Sequence, residues 1–426
     1  MLRAAFYEKD ITPPLGGYMW GNYRAFYASE VYDKLYVKAL VIDDGNEAVA
    51  IACFDSCVVP SDIHDFVAKR VAEYVPVKAE NICLCSNHTH KGIPVTDSPE
   101  LNIFADSAYR DVFYRLVADS IILAYNRLDE SEAFFGVGNV KGVSFNRNFL
   151  LSDGQKVTHN RGRTNIVKTL AGIDEDLTVM FYKNKAGEPI GAIISFALHQ
   201  DCTGGANVYS GDYSSILAKE LKKIYGPDFV SLFVLGTCGD INHIPHDGKP
   251  IPEFRYREIG KILADEAVRT IEKAEPAGEG GIKAEKKLLK IKRRIYDKEY
   301  YNKKIESMLS DKGFMRIRNL IAYEAMNDKD YSELYVQVIK IGDVIFFAMP
   351  GEVYVDHGLY IKGKSPFQKT FVVSDCNSYC GYIPTKECFE EGDNLYETTI
   401  CKHSCHVPEA GEIIREELLS MADNIN

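Results

Sequence analysis

The chain has no run approaching about 18 uninterrupted apolar residues, which excludes an ordinary membrane-spanning helix. Met1 to Pro14 hold neither an apolar stretch of roughly 7–15 residues nor a small-residue cleavage site, so no secretory signal is expected. No internal repeat or low-complexity tract is visible. Positive charge is in deficit, with 50 Lys and Arg against 61 Asp and Glu and a net charge of −11. Such a chain is poorly suited to non-specific nucleic-acid binding, which depends on neutralising phosphates. The one basic run, from Lys283 through Lys286, Lys287, Lys290, Lys292, Arg293 and Arg294, alternates with Leu288, Leu289, Ile291 and Ile295. It reads as a strand with a solvated face. The eleven cysteines are an odd number, which points to reduced thiols and a cytoplasmic location.

What is present is enough for a large core, since 46% of the residues are hydrophobic. Apolar runs predict strands at Arg3–Tyr7, Leu35–Ile42, Ala48–Phe54, Ile82–Cys85, Ala133–Val137, Leu177–Tyr182, Pro189–Leu198, Phe229–Leu235, Leu334–Ile341 and Val344–Met349. Helical patterns fall at Ser61–Tyr74, Ser107–Arg127, Tyr213–Tyr225, Arg257–Ala274, Glu352–Ile361 and Glu409–Ala422. Strands and helices alternate, so the expected class is α/β: a large mixed β-sheet with helices packed on its faces. The chain reads as a single catalytic unit over 1–426, with 297–330 as a charged helical insertion or lid. Pro276–Gly281 is the best internal boundary.

Several strand ends carry chemistry. His88-Thr89-His90 follows a short apolar strand, and on extended backbone residues i and i+2 point the same way. His199 ends a second apolar run and leads into Asp201, Gly204, Gly205 and Gly211-Asp212-Tyr213. A third run ends in Gly236-Thr237-Cys238-Gly239-Asp240-Ile241-Asn242, and a fourth in Pro350-Gly351-Glu352. Histidine is the commonest metal ligand near neutral pH, and α/β folds collect their sites at strand carboxyl ends. Each motif also has a bland reading: a core histidine, a tight turn, or a glutamate opening a helix. The Cys401, His403, Cys405, His406 cluster lacks the paired spacing of a structural zinc site and reads as a mobile or packed loop.

In this order, Asp10-Ile11-Thr12-Pro13-Pro14, His88-Thr89-His90, Asn146-Arg147, His199, Gly211-Asp212-Tyr213, Gly236-Thr237-Cys238-Gly239-Asp240, Pro350-Gly351-Glu352, Gly381-Tyr382 and Tyr396-Glu397 resemble the catalytic domain of the neutral/alkaline non-lysosomal ceramidases. The resemblance implies a Zn2+ site held by His88, His199, Glu352 and Tyr382. It places His90, Arg147 and Tyr396 beside the scissile carbonyl. Imidazole nitrogen and carboxylate oxygen suit zinc independently of the family, whereas Tyr382 rests on the resemblance. The chain departs from the family at Asn242, where the family carries a serine needed for ceramide hydrolysis. The immunoglobulin-like domain and the signal of the secreted members are also not in the sequence.

The implied activity is metal-assisted hydrolysis of an amide (N-acyl) bond, with His90 or Asp240 accepting or relaying the proton. Arg147 and Tyr396 would stabilise the oxyanion. An ester, lactone or acetyl-sugar hydrolase on the same metal site is the alternative. A catalytically silent binding relative is the third reading, motivated by Asn242. The expected partner is a small N-acyl or O-acyl compound, lipid included.

Overall fold

The computed structural model describes residues 2–21, 26–97, 103–160, 162–247, 249–278, 280–310, 320–321, 323, 329–389 and 395–426. Its largest sheet runs, edge to edge, through Val230–Leu235, Pro189–Phe196, Asp176–Asn184, Asp129–Asn139, Arg3–Asp10, Tyr36–Asp43, Ala48–Phe54 and Ile82–Ser86. Midway the pairing narrows to Arg3 with Glu130 and Ala4 with Asp129. The two halves fold over one another, and the Lys38 ammonium in one half donates to the Ser231 carbonyl of the other at 2.9 Å.

The alternation of each strand sorts its side chains between two cores. From Tyr36–Asp43, Leu40 and Ile42 point to the shared centre, where they meet Ile193, Leu232 and Val234. Val37, Ala39 and Val41 point outward, under helices Ile63–Ala72 and Ser107–Tyr125. The other half repeats the scheme: Met180 and Tyr182 face the centre, while Leu177, Val179 and Phe181 lie under helices Asp212–Tyr225 and Arg255–Glu272. A second sheet, ordered Ile282–Lys292, Tyr331–Ile341, Val344–Ala348 and Lys369–Val373, closes one end of the centre with Ile339, Phe346 and Phe371. Its far face carries helices Val355–Lys364 and Ala410–Ile425. The architecture is thus mixed α/β, with helices on the sheet faces.

Three parallel pairings matter most: Ala48–Phe54 with Ile82–Ser86, Pro189–Phe196 with Val230–Leu235, and Val344–Ala348 with Lys369–Val373. Their carboxyl ends are stitched together by main-chain bonds from Gly236 to Phe196, Ser374 to Leu235, Ser86 to Asp375 and Met349 to Val373. Strand Lys369–Val373 had no counterpart in the sequence reading. The helix predicted over Glu352–Ile361 begins later, at Val355. Glu352 and Val353 instead pair in parallel with Tyr382 and Ile383, because the Glu352 and Tyr354 N–H groups are taken by the Gly381 and Ile383 carbonyls.

The Pro276–Gly281 boundary is sewn into the fold, since Glu275 and Pro276 pair with Phe135 and Phe134. The basic run is a strand, but Lys286 is drawn inward, where its ammonium reaches the Ile82 carbonyl and Asn377. Within 297–330, helix Lys298–Ser310 is present, while 311–319, 322 and 324–328 lie outside the described residues. Tyr301, Leu320 and Tyr323 of that insertion pack against Ile400 and Cys405. The eleven cysteines are all buried and free, and no helix among the described residues is long and apolar enough to cross a membrane.

Candidate metal centre

His88 and His199 arrive from two different parallel pairs, and Glu352 from the loop after a third. Their donor atoms converge. His88 Nε2 lies 3.2 Å from His199 Nε2, and Glu352 Oε2 lies 3.5 Å from the first and 3.3 Å from the second. All three residues are at least nine-tenths buried. Glu352 Oε2 has no hydrogen-bond partner there.

The far side of each ring explains why the lone pairs point inward. His199 Nδ1 stands 2.9 Å from the Cys238 carbonyl. His88 Nδ1 faces both the Cys57 carbonyl at 2.7 Å and Asp375 Oδ2 at 2.8 Å. With the ring hydrogens on those acceptors, both Nε2 atoms present lone pairs to one another and to a carboxylate. Burial opposes charge on His88, but Cys57, Asp375 and Glu352 outweigh it and hold its pKa well above the usual value, so either a ring proton or a metal cation among the three atoms relieves the convergence. Ligands about 2.0–2.2 Å from a tetrahedral zinc stand about 3.3–3.6 Å apart, which matches the spacing found. Two imidazoles and a carboxylate are a donor set of the zinc type.

Of the remaining residues predicted from sequence, His90 touches the triad, and Arg147, Tyr382 and Tyr396 contact one another. His90 is partly buried, with Nε2 3.4 Å from His88 Nε2. The reasoning that brought the two histidines together needs correction: His88 has φ +64°, so the segment is kinked rather than extended. Burial and the neighbouring His88 push the His90 pKa down to about 3, leaving a neutral ring at neutral pH. Arg147 is buried. Its Nε donates to Glu397 Oε1 at 2.8 Å, and one terminal nitrogen donates to the Gly239 carbonyl at 2.7 Å and the Tyr382 hydroxyl at 3.3 Å. Burial opposes its charge, but Glu397 more than restores it, so the guanidinium stays ionised. The Tyr382 ring meets Tyr396 edge-on at 5.5 Å. Burial and the nearby Glu352 charge both push the Tyr382 phenol up, towards its neutral form.

Asp240 sits behind this wall. One oxygen accepts from the Val355 N–H at 2.9 Å and the other from Asn146 at 2.7 Å, so it braces the Asn146-Arg147 turn. Burial raises its pKa to about 7. Gly239 makes that approach possible: a Cβ there would lie 2.4 Å from the Glu352 carbonyl oxygen. Asn242 is buried, and its Oδ1 accepts from the Ile244 N–H at 3.0 Å. Together with Arg147, His159 and His246 it lines a cavity of about 340 Å³.

Several residues of the site went unassigned in the sequence. Tyr379 donates its hydroxyl to Glu352 Oε1 at 2.9 Å, which makes it the phenol in direct contact with the carboxylate. His403 lies 3.4 Å from that hydroxyl, and Trp20 abuts both rings. The Cys401–His406 segment is therefore a packed loop and forms no metal group among the described residues. Asp201 holds His243 at 3.2 Å on the His199 side of the site. Asp375 follows an apolar strand, and a strand-end search would have found it.

Residues 8–243, more than half of the chain, match the family model for the N-terminal part of neutral/alkaline non-lysosomal ceramidases. The structure is similar to that of neutral ceramidase from Pseudomonas aeruginosa, with a TM-score of 0.76 and 18% identity over 100% of this chain and 74% of that one. It is equally similar to a ceramidase structure described as complexed with C2: TM-score 0.76, 20% identity, 100% of this chain and 75% of that one. At this identity the structural likeness is one of fold, and the family match adds the lineage. The chain belongs to the neutral/alkaline non-lysosomal ceramidase family of hydrolases.

Proposed function

We propose that this chain is a zinc-dependent hydrolase of N-acyl (amide) bonds, with His88, His199, Glu352 and Tyr382 around the metal. The observation that carries the reading is the inward meeting of two imidazole lone pairs and a carboxylate oxygen that has no hydrogen-bond partner. Bound zinc supplies a Lewis acid that polarises the scissile carbonyl and acidifies water. The chain supplies the rest. The His90 ring stands beside the triad, its Nε2 3.4 Å from His88 Nε2, where it can relay a proton in the reaction. Arg147, its plane fixed by Glu397, Gly239 and Tyr382, stabilises negative charge developing on the substrate oxygen, with Tyr396 behind Tyr382. Asp240 holds the Arg147 turn in place. Tyr379 orients Glu352 through Oε1 and so leaves Oε2 for the metal. Helix Lys298–Ser310, whose Tyr301 packs with Ile400 and Cys405, belongs to the insertion that we take to shape substrate choice.

The nature of Asn242 favours a small polar substrate over long-chain ceramide. A serine hydroxyl can donate, accept and pass a proton, whereas an amide is longer, planar and no base near neutral pH. Here the amide oxygen is already committed to Ile244, and the adjoining cavity sets Arg147, His159 and His246 beside an apolar lining that includes Phe149 and Ile244. Sites of this kind reject compounds that leave a buried polar group unpaired. Purified enzyme should turn over some N-acyl or O-acyl sugar or amino acid at least about 100-fold faster than ceramide, in kcat/KM, when assayed side by side. The O-acyl members of the panel decide between amide and ester specificity. Efficient ceramide cleavage that disappears in Glu352→Ala would refute the substrate assignment and leave the metal assignment intact.

A further inference from the structure

A second group of metal-capable side chains lies in the core, away from the His/Glu triad. Cys83 and Cys85 alternate on strand Ile82–Ser86, so both thiols face the centre of the molecule. Cys376 is the antiparallel bridge partner of Cys85 on the neighbouring segment. The Cys85 and Cys376 sulfurs are 3.3 Å apart, the Cys83 and Cys85 sulfurs 3.7 Å, and all three lie within 4.8 Å of one another. Cys53, the register partner of Cys85 on the adjacent parallel strand, faces the same core. Next to the thiols is the ammonium of Lys286, largely withdrawn from water and bonded to the Ile82 carbonyl and Asn377. Burial lowers the Lys286 pKa to about 8, and negative charge on the neighbouring Cys83, Cys376 and Cys85 would raise it.

We infer that Cys83, Cys85 and Cys376 form a binding site for a thiophilic divalent cation of the zinc class. Tetrahedral zinc–thiolate bonds of about 2.3 Å set sulfurs about 3.8 Å apart, close to the spacing found without rearranging the strands. The charges also close: three thiolates balance one divalent ion and the Lys286 ammonium. Each thiol gives up its proton as its bond to the metal forms, and the protons pass to solvent. The site ties the strand leading to His88 to the segment carrying Asp375, two arms of the catalytic centre.

Cobalt(II) added to the reduced, purified protein tests this, because thiolate-to-cobalt charge transfer absorbs in the near ultraviolet and the His/Glu triad contains no sulfur. Cobalt in excess of the equivalent that the triad can take should produce that band, with release of about three protons and a sulfur shell at about 2.3 Å in X-ray absorption. The band should fall at least about tenfold in both Cys83→Ala and Cys376→Ala, checked for folding by circular dichroism. Absence of both band and sulfur shell would overturn the site. So would an undiminished band in both folded variants, or a Cys85–Cys376 disulfide formed in place of metal uptake. Loss of the triad's metal leaves each of these readouts unaffected.

Discussion

Replacing His199 by alanine is expected to abolish hydrolysis and empty the triad while leaving the fold intact. The change removes one of the three ligand atoms that converge, and His88 and Glu352, even with the proposed Tyr382, cannot hold the zinc at full affinity. A Lewis acid at the scissile carbonyl is worth several kcal/mol, so kcat/KM should fall by about 10³-fold or more. The structural cost is small. The Cys238 carbonyl loses its ring donor, for about 1–2 kcal/mol. Chelation should therefore lower the thermal midpoint of the natural protein by more than that of His199→Ala, because only the natural protein has triad metal to lose. A variant that kept a full metal complement would show that the ligand set is wrongly drawn.

The second large effect falls on Arg147. Its guanidinium and the Glu397 carboxylate are both almost wholly buried and meet at 2.8 Å. Removing one partner leaves the other charge uncompensated in a dry interior, at a cost of about 3–5 kcal/mol. Arg147→Met should lose that much in denaturant unfolding, and Glu397→Gln a comparable amount. The double variant Arg147→Met/Glu397→Leu should recover at least half, since two apolar side chains leave no orphaned charge. Activity should behave differently. If Arg147 stabilises the developing oxyanion, kcat falls by about 10²–10³-fold in Arg147→Met and does not return in the double variant. Recovery of stability and activity together would reduce Arg147 to a structural role.

The contrast between these two sites explains what the sequence made legible. His88 and His199 follow apolar strands, and the principle that sites gather at parallel strand ends places them correctly without coordinates. The sheet and most of its helices follow from the same local periodicity, as in Tyr36–Asp43, where alternate side chains serve two different cores. The supporting residues carry no local signal. Glu397 reaches Arg147 across 250 positions, and Tyr379 reaches Glu352 from a segment rich in tyrosine with no period of its own. Glu352 was expected to open a helix. A parallel bridge to Tyr382 overrides that propensity, and it aligns the glutamate main chain with the tyrosine now placed beside Arg147. Gly381 permits the pairing, since its φ of +77° and its contact with the His403 carbonyl leave no room for a Cβ.

The central claim, a metal among His88, His199 and Glu352, is tested most directly by anomalous X-ray scattering across the zinc edge on crystals of protein purified without added metal. The account predicts a peak about 2.0–2.2 Å from His88 Nε2, His199 Nε2 and Glu352 Oε2. In His199→Ala crystals that peak should be gone. A triad with no anomalous density in the natural protein, with any zinc found only at the thiols of Cys83, Cys85 and Cys376, would contradict it.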